Sequence, residues 1–302
     1  MDSLTGVGDD QETQTLTTSD GRTLAFIETG DPAGAPLFLL HGTPGCRLSG
    51  RHPDPSQVAE AGLRLVTYDR PGYGISTRHR GRRVVDCVAD VAAIADSLLI
   101  ERFSVCGGSG GGPHALAVAA RLPERVVAAR CDVGVAPYCA DGLDWWEGMD
   151  KSNVREVRWA LEGEERLSDE LEREVAGYLE RLDEDPVAVL SDIELSHSDR
   201  AVLQAPDVRR LLGASTREMF AQGATGWVDD DLAFIGPWGF DVGEIEVPVD
   251  VRYGATDVLV PPGHGEWLGA HIRDANVIVD EDGGHLSTPD QHLERLRAFV
   301  AR

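Results

Sequence analysis

Six short apolar runs recur along the chain: APLFLLHG from Ala35, LRLVTYD from Leu63, FSVCGG from Phe103, VVAARCDVG from Val126, VPVDVRYG from Val247 and NVIVDE from Asn276. Such a run is apolar on both faces, which suits a strand of a parallel sheet covered on both sides. Between them lie segments with apolar residues at helical spacing: Gln57–Ala61, Val84–Leu99, Pro113–Ala120, Glu266–Ile272 and His292–Val300. Strands alternating with helices imply right-handed crossovers and an α/β fold with a mostly parallel sheet. Ahead of them QTLTTSDGRTLAFIETG alternates apolar and polar residues around Asp20-Gly21, a β-hairpin pattern. Residues 1–15 read as a flexible tail.

Residues 139–240 break the alternation. Strand signals vanish and helical segments with Glu/Arg faces follow one another. The stretch holds 24 acidic and 10 basic residues, so it carries −14 of the chain's net −24. It reads as a helical insertion dividing a core of residues 16–138 and 241–302. That surface charge argues against nucleic acid or an anionic membrane as a partner, and no apolar run approaches the roughly 18–20 residues needed to span a bilayer. The N-terminus MDSLTGVGDDQETQT lacks a basic region followed by an apolar one, so no secretory signal is expected. Five cysteines without a CxxC pair argue against a zinc ribbon or redox dithiol and agree with a reducing cytoplasm.

FSVCGG runs into Gly107-Gly108-Ser109-Gly110-Gly111 and then a helix, a G-x-S-x-G pattern in the strand–turn–helix context it requires. A serine at the tip of so tight a turn takes strained backbone angles, and glycines two residues either side remove the collisions. A nucleophilic serine needs a base, and the base an orienting acid. His285 follows NVIVDE in a Gly-Gly-His loop, and Asp257 follows VPVDVRYG. Both stand past strand ends, where open α/β sheets place their sites. Asp257 is the favoured acid, with Asp132 after VVAARC as its rival. Oxyanion donors are expected from the Gly110 N–H and from Thr43 in the loop His41–Gly45. His41 is read as shaping that loop. No cluster has metal-ligand spacing, so neither metal nor cofactor is expected. Trp145 and Trp146 open the insertion and are candidates for lining a pocket, whereas Trp159 reads as packing. The run Asp229-Asp230-Asp231 reads as a solvated helix start, with attraction of a substrate amine as the alternative.

The stretches HGTPG, DRPGYGIS, CGGSGGGPHALA, YGATDVLVP and GGH resemble α/β-hydrolases of the group that includes proline iminopeptidases, carbon–carbon bond hydrolases, enol-lactonases and cofactor-free haloperoxidases. The resemblance implies an eight-stranded, mostly parallel sheet with helices on both faces and a helical cap inserted after strand six. It makes Ser109 the nucleophile, Asp257 the acid, His285 the base, and Thr43 and Gly110 the oxyanion donors. Ser109 departs from the aspartate nucleophile of epoxide hydrolases and haloalkane dehalogenases. Thr43 departs from the HGGPG of proline iminopeptidases. The expectation is a cytoplasmic serine hydrolase acting on a small ester, lactone or similar carbonyl compound through an acyl-enzyme. An aminopeptidase, or a small-molecule receptor that keeps the triad, are the alternatives.

Overall fold

A computed structural model describes residues 13–301. The expected tail therefore lies outside the described residues up to position 12, and Gln14 and Thr15 already belong to a strand. The first three strands are β1 (Gln14–Thr17), β2 (Thr23–Gly30) and β3 (Ala35–Leu40); helix α1 (Pro55–Glu60) leads to β4 (Leu63–Tyr68). Then α2 (Cys87–Ser97), β5 (Phe103–Gly108), α3 (Gly111–Arg121) and β6 (Val126–Asp132) alternate. Five helices follow: α4 (Lys151–Glu162), α5 (Glu164–Arg181), α6 (His197–Val202), α7 (Pro206–Met219) and α8 (Thr225–Ile235). The alternation resumes with β7 (Val249–Gly254), α9 (Pro262–His271), β8 (Asn276–Asp280) and α10 (Pro289–Val300).

The strands form one sheet in the order β1-β2-β4-β3-β5-β6-β7-β8. β1 and β2 pair as the hairpin read from Asp20-Gly21, β2 lies antiparallel to β4, and the remaining pairs are parallel. The period of two explains the apolar runs. On β3, Leu37 and Leu39 face the layer of α1 and α10 with Leu65, Cys106, Leu296 and Phe299, while Phe38 and Leu40 face the opposite layer with Val105, Leu116 and Ile94. Each fully buried Leu or Phe contributes roughly 1.5–3 kcal/mol. Both faces must therefore be apolar.

Helix boundaries follow caps more than periodicity. α10 starts three residues before the expected His292, because Thr288 and Gln291 close a capping box and Pro289 takes the first turn. α1 starts behind Asp54, whose carboxylate accepts the Ser56 N–H at 2.9 Å. The five helices between β6 and β7 share an apolar centre with the loops after β3 and β4, where Leu167, Leu171 and Val175 of α5 meet Met219, Phe220 and Trp227 together with Cys46 and Tyr73; Trp159 packs against it as expected.

Candidate active site

The turn after β5 is as tight as its glycines require. Ser109 takes φ +53°, a left-handed conformation that costs a side-chain-bearing residue energy and persists only when its surroundings hold it. The Ser109 N–H donates to the Asp132 carbonyl at the end of β6 (2.9 Å), and the Ser109 carbonyl accepts from the Gly112 N–H (2.9 Å). A side chain at Gly107 would meet the Gly112 nitrogen at 2.9 Å, so α3 can press against β5 only over glycine.

The loops after β7 and β8 are tied together: Ala255 N–H donates to Asp280 O (2.9 Å) and Thr256 N–H to Gly283 O (3.0 Å). This brings His285 Nδ1 to 2.8 Å from Asp257 Oδ2. The other carboxylate oxygen of Asp257 accepts the N–H groups of Leu259 (2.9 Å) and Val260 (3.0 Å). An acceptor so placed assigns the proton to Nδ1 and leaves Nε2 as the basic nitrogen. Burial lowers the proton affinity of His285, but the Asp257 charge and hydrogen bond outweigh it, so its pKa lies above the ordinary value.

The rival Asp132 does not reach this pair. Its side chain lies 3.8 Å from Arg130 Nε, and Asp257 and Asp199 are the charges that act on His285.

The loop His41–Gly45 stands on the other side of Ser109. A side chain at Gly42 would lie 3.4 Å from Ser109 Cβ, and one at Gly110 would run into Thr43 and the Phe234 ring (2.9 Å). Gly42 thus lies against the serine, and the Thr43 side chain lies against Gly110. His41 shapes the loop as read: Nδ1 bonds the Gly42 carbonyl (2.7 Å), and Nε2 accepts the Arg70 N–H (3.1 Å). Burial and the Arg70 charge hold this imidazole neutral, well below its ordinary pKa.

Beneath the loop lies Asp230 of α8, fully buried. It accepts from Thr43 Oγ1 (2.6 Å) and Tyr73 (2.9 Å), and pairs with Arg70 (2.6 Å) and Arg82 (2.6 Å). Arg70 also bonds the carbonyls of His41 and Gly42. Burial raises the pKa of Asp230, but the two guanidiniums outweigh it and hold the group well below the carboxylate range.

The run Asp229–Asp231 is therefore no solvated helix start. It occupies the middle of α8, and all three residues are buried. Asp229 pairs with Arg78 (2.8 Å), and Asp231 lies against Glu156 of α4. The arginines that pair with Asp229 and Asp230 stand about 150 residues earlier in the chain, where local patterning does not show them. Arg70 and Tyr73 sit in the DRPGYGIS stretch, which carries part of the family resemblance.

A cavity of about 410 Å³ joins these parts; its wall includes Gly42, Thr43, Ser109 and His285 from the sheet edge and Tyr178, Leu212 and Trp227 from the insertion. Trp145 and Trp146 are not part of that wall. Trp145 donates its indole N–H to Ala136 O (2.9 Å) and packs edge-on against His264, and Trp146 packs against Tyr138 and Trp145. Satisfying the indole at the root of the insertion draws both rings away from the cavity. Glu156 and Glu174 line its far end. Burial raises the pKa of Glu156 and, with the Glu156 charge, that of Asp231, so the two carboxyls hold a proton between them more readily than either would alone. Among the described residues no group of three or more His, Cys, Asp or Glu is placed to hold a metal, and no helix is long and apolar enough to cross a membrane.

A parallel sheet covered on both faces, with a strained serine elbow and an Asp–His pair at its carboxyl edge, defines a class of α/β enzymes. Residues 35–290 match the family described as the alpha/beta hydrolase fold, and the chain belongs to that family. It is 37% identical over 111 residues to a proline iminopeptidase of Xanthomonas citri, a match covering 35% of this chain and 34% of that protein. It thus spans about a third of the length of that relative. It is 27% identical to the pimeloyl-[acyl-carrier protein] methyl ester esterase of Nitrosomonas europaea, over 88% of this chain and 96% of that one. The crystal structure of the enol-lactonase from Burkholderia xenovorans LB400 superimposes with a TM-score of 0.63 at 21% identity, covering 95% and 97% of the two chains.

Proposed function

We propose that the protein is a serine hydrolase of small esters or lactones, working through an acyl-enzyme beneath a helical cap formed by residues 139–240. Ser109 Oγ attacks the carbonyl carbon while His285 Nε2 takes its proton. Asp257 holds the imidazole in the productive tautomer and stabilises the imidazolium. The amides of Thr43 and Gly110 receive the oxyanion. The imidazolium then protonates the departing alkoxide. Water, deprotonated by the same nitrogen, attacks the acyl carbon and releases the acid with Ser109 restored. The 2.8 Å contact of His285 with Asp257, in the same cavity as a serine held at φ +53°, carries the reading. Leu212, Val208, Leu190 and Ile193 make one wall of the cavity apolar and suit an aliphatic part of the substrate. The free, mostly buried cysteines suit a cytoplasmic setting.

The test is Ser109→Ala assayed on a panel of p-nitrophenyl esters, with fluorophosphonate labelling in parallel. Hydrolysis falls by roughly 10⁴-fold or more and labelling disappears; a labelled, active Ser109→Ala protein would place the nucleophile elsewhere. One observation favours a second reading with the same chemistry, an aminopeptidase. The carboxyls of Glu156 and Glu174 at the far end of the cavity would pair with a substrate amine, in keeping with the iminopeptidase relatives. Aminoacyl p-nitroanilides in the same panel separate the two.

A further inference from the structure

The insertion touches the base loop at one buried point, and the chemistry there is specific. Asp199 of α6 is fully buried. Its Oδ1 accepts the N–H of Leu286, the residue after His285, at 2.7 Å. Its Oδ2 accepts from Ser196 Oγ (2.8 Å), which in turn accepts the Asp199 N–H (3.1 Å), so the carboxylate is locked at the start of its own helix. On the other side of the histidine a side chain at Gly284 would come within 2.5 Å of Asp199 Cγ, so the loop closes over the carboxylate only because that position is glycine. The same helix approaches the loop that carries the acid, with Ser198 Oγ 3.4 Å from Thr256 Oγ1. Leu286 completes the contact by packing among Leu195, Leu203 and Val208. A carboxylate in that place does more than an alanine or leucine could: it fixes the backbone of the base and adds a second negative charge near its ring.

We propose that Asp199 is a positioning residue for the base, holding the His285 loop through the Leu286 amide and stabilising the imidazolium together with Asp257. This rests on the Ser109–His285–Asp257 reading above. Other charged groups near the base loop act on one another rather than on His285. Arg252 of β7 and Arg295 of α10 pair with Asp280, and His292 and Asp132 face Arg130 and Arg295. Asp257 and Asp199 are the two carboxylates whose charges raise the proton affinity of His285 against its burial. Because α6 belongs to the insertion, the base is fully set only when the insertion is docked on the sheet edge.

Two variants separate geometry from charge. Asp199→Ala removes both and lowers kcat on a p-nitrophenyl ester by about 10–100-fold. Asp199→Asn keeps an acceptor for the Leu286 N–H and recovers most of kcat at alkaline pH. In both variants the acid limb of kcat/KM moves to lower pH. So does the titration of the His285 imidazole followed by NMR, with its signal assigned by its loss in His285→Gln. A merely structural contact would move neither. An acid limb and an imidazole titration that coincide with the wild type in both variants overturn the proposal. Ser109→Ala keeps the failures apart: if it remained active the triad reading would fall, while the NMR titration, which needs no turnover, would still decide the role of Asp199.

Discussion

Two sides of one cavity are held by opposite means. On one side Asp257 and His285 come from successive loops, 28 residues apart, and their geometry needs little beyond two neighbouring strands and two backbone N–H groups on the carboxylate. On the other side the loop of Thr43 rests on Asp230, 187 residues away, amid Arg70, Arg82 and Tyr73, all buried. The first arrangement is a short-range device at two neighbouring strand ends. The second is a buried charge cluster that exists only when the insertion has folded against the sheet. The sheet alone thus brings the acid and the base together, with Asp199 of the insertion only fixing the loop of the base, whereas the corner that would receive the oxyanion rests on a distant helix.

The largest expected effect tests the short-range side. Asp257→Asn leaves the shape but favours the wrong tautomer, and kcat falls by roughly 10³–10⁴-fold with KM little changed. The pH profile follows with its sign. The base must be neutral, so kcat/KM of the wild type is lost as pH falls through the raised pKa of His285; without the Asp257 charge the remaining activity is lost at lower pH. An Asp257→Asn enzyme with wild-type kcat would show that the sheet edge does not carry the acid.

Next comes the buried side. Asp230→Asn leaves Arg70 and Arg82 facing each other without a counter-charge, and removal of one partner from such a cluster costs about 3–5 kcal/mol. Urea unfolding measures it. With Thr43 released, kcat falls as well, by about 10-fold or more, while the acid limb stays where the wild type has it. A shift of that limb in Asp230→Asn would mean that the two sides are not independent.

The same contrast explains what could be read from the chain. The strand–loop periodicity places Ser109, Asp257 and His285 at the carboxyl edge without any long-range knowledge, because each signal is local: an apolar run, then glycine, then the reactive residue. The roles of Asp199, Asp230 and Arg70 are not local. A run of three aspartates looks the same whether water or three arginines surround it, and solvation is the commoner state. Trp145 and Trp146 mislead for a related reason, since an indole near a strand end lines a pocket or packs at the root of an insertion according to where its N–H finds a partner, here the Ala136 carbonyl. Periodicity also misses the start of α10, which is set by the Thr288 cap.

The smallest expected effect falls at the seam between the two sides. Asp132 is the last residue of β6, lines the cavity, and holds the serine elbow, but it does so with its backbone carbonyl. Its carboxylate turns toward Arg130 at 3.8 Å, and Oδ1 has no hydrogen-bond partner. Asp132→Asn keeps the carbonyl that accepts the Ser109 N–H and removes only a charge that does not act on the base. A change in kcat below about tenfold is therefore expected, with an unmoved acid limb. Part of the charge balance around Arg130 is lost, so any appreciable effect should appear in urea unfolding instead. If Asp132→Asn lowered kcat as far as Asp257→Asn does, the acid would sit on the strand next to the serine, and His285 would have to turn from the partner it has here.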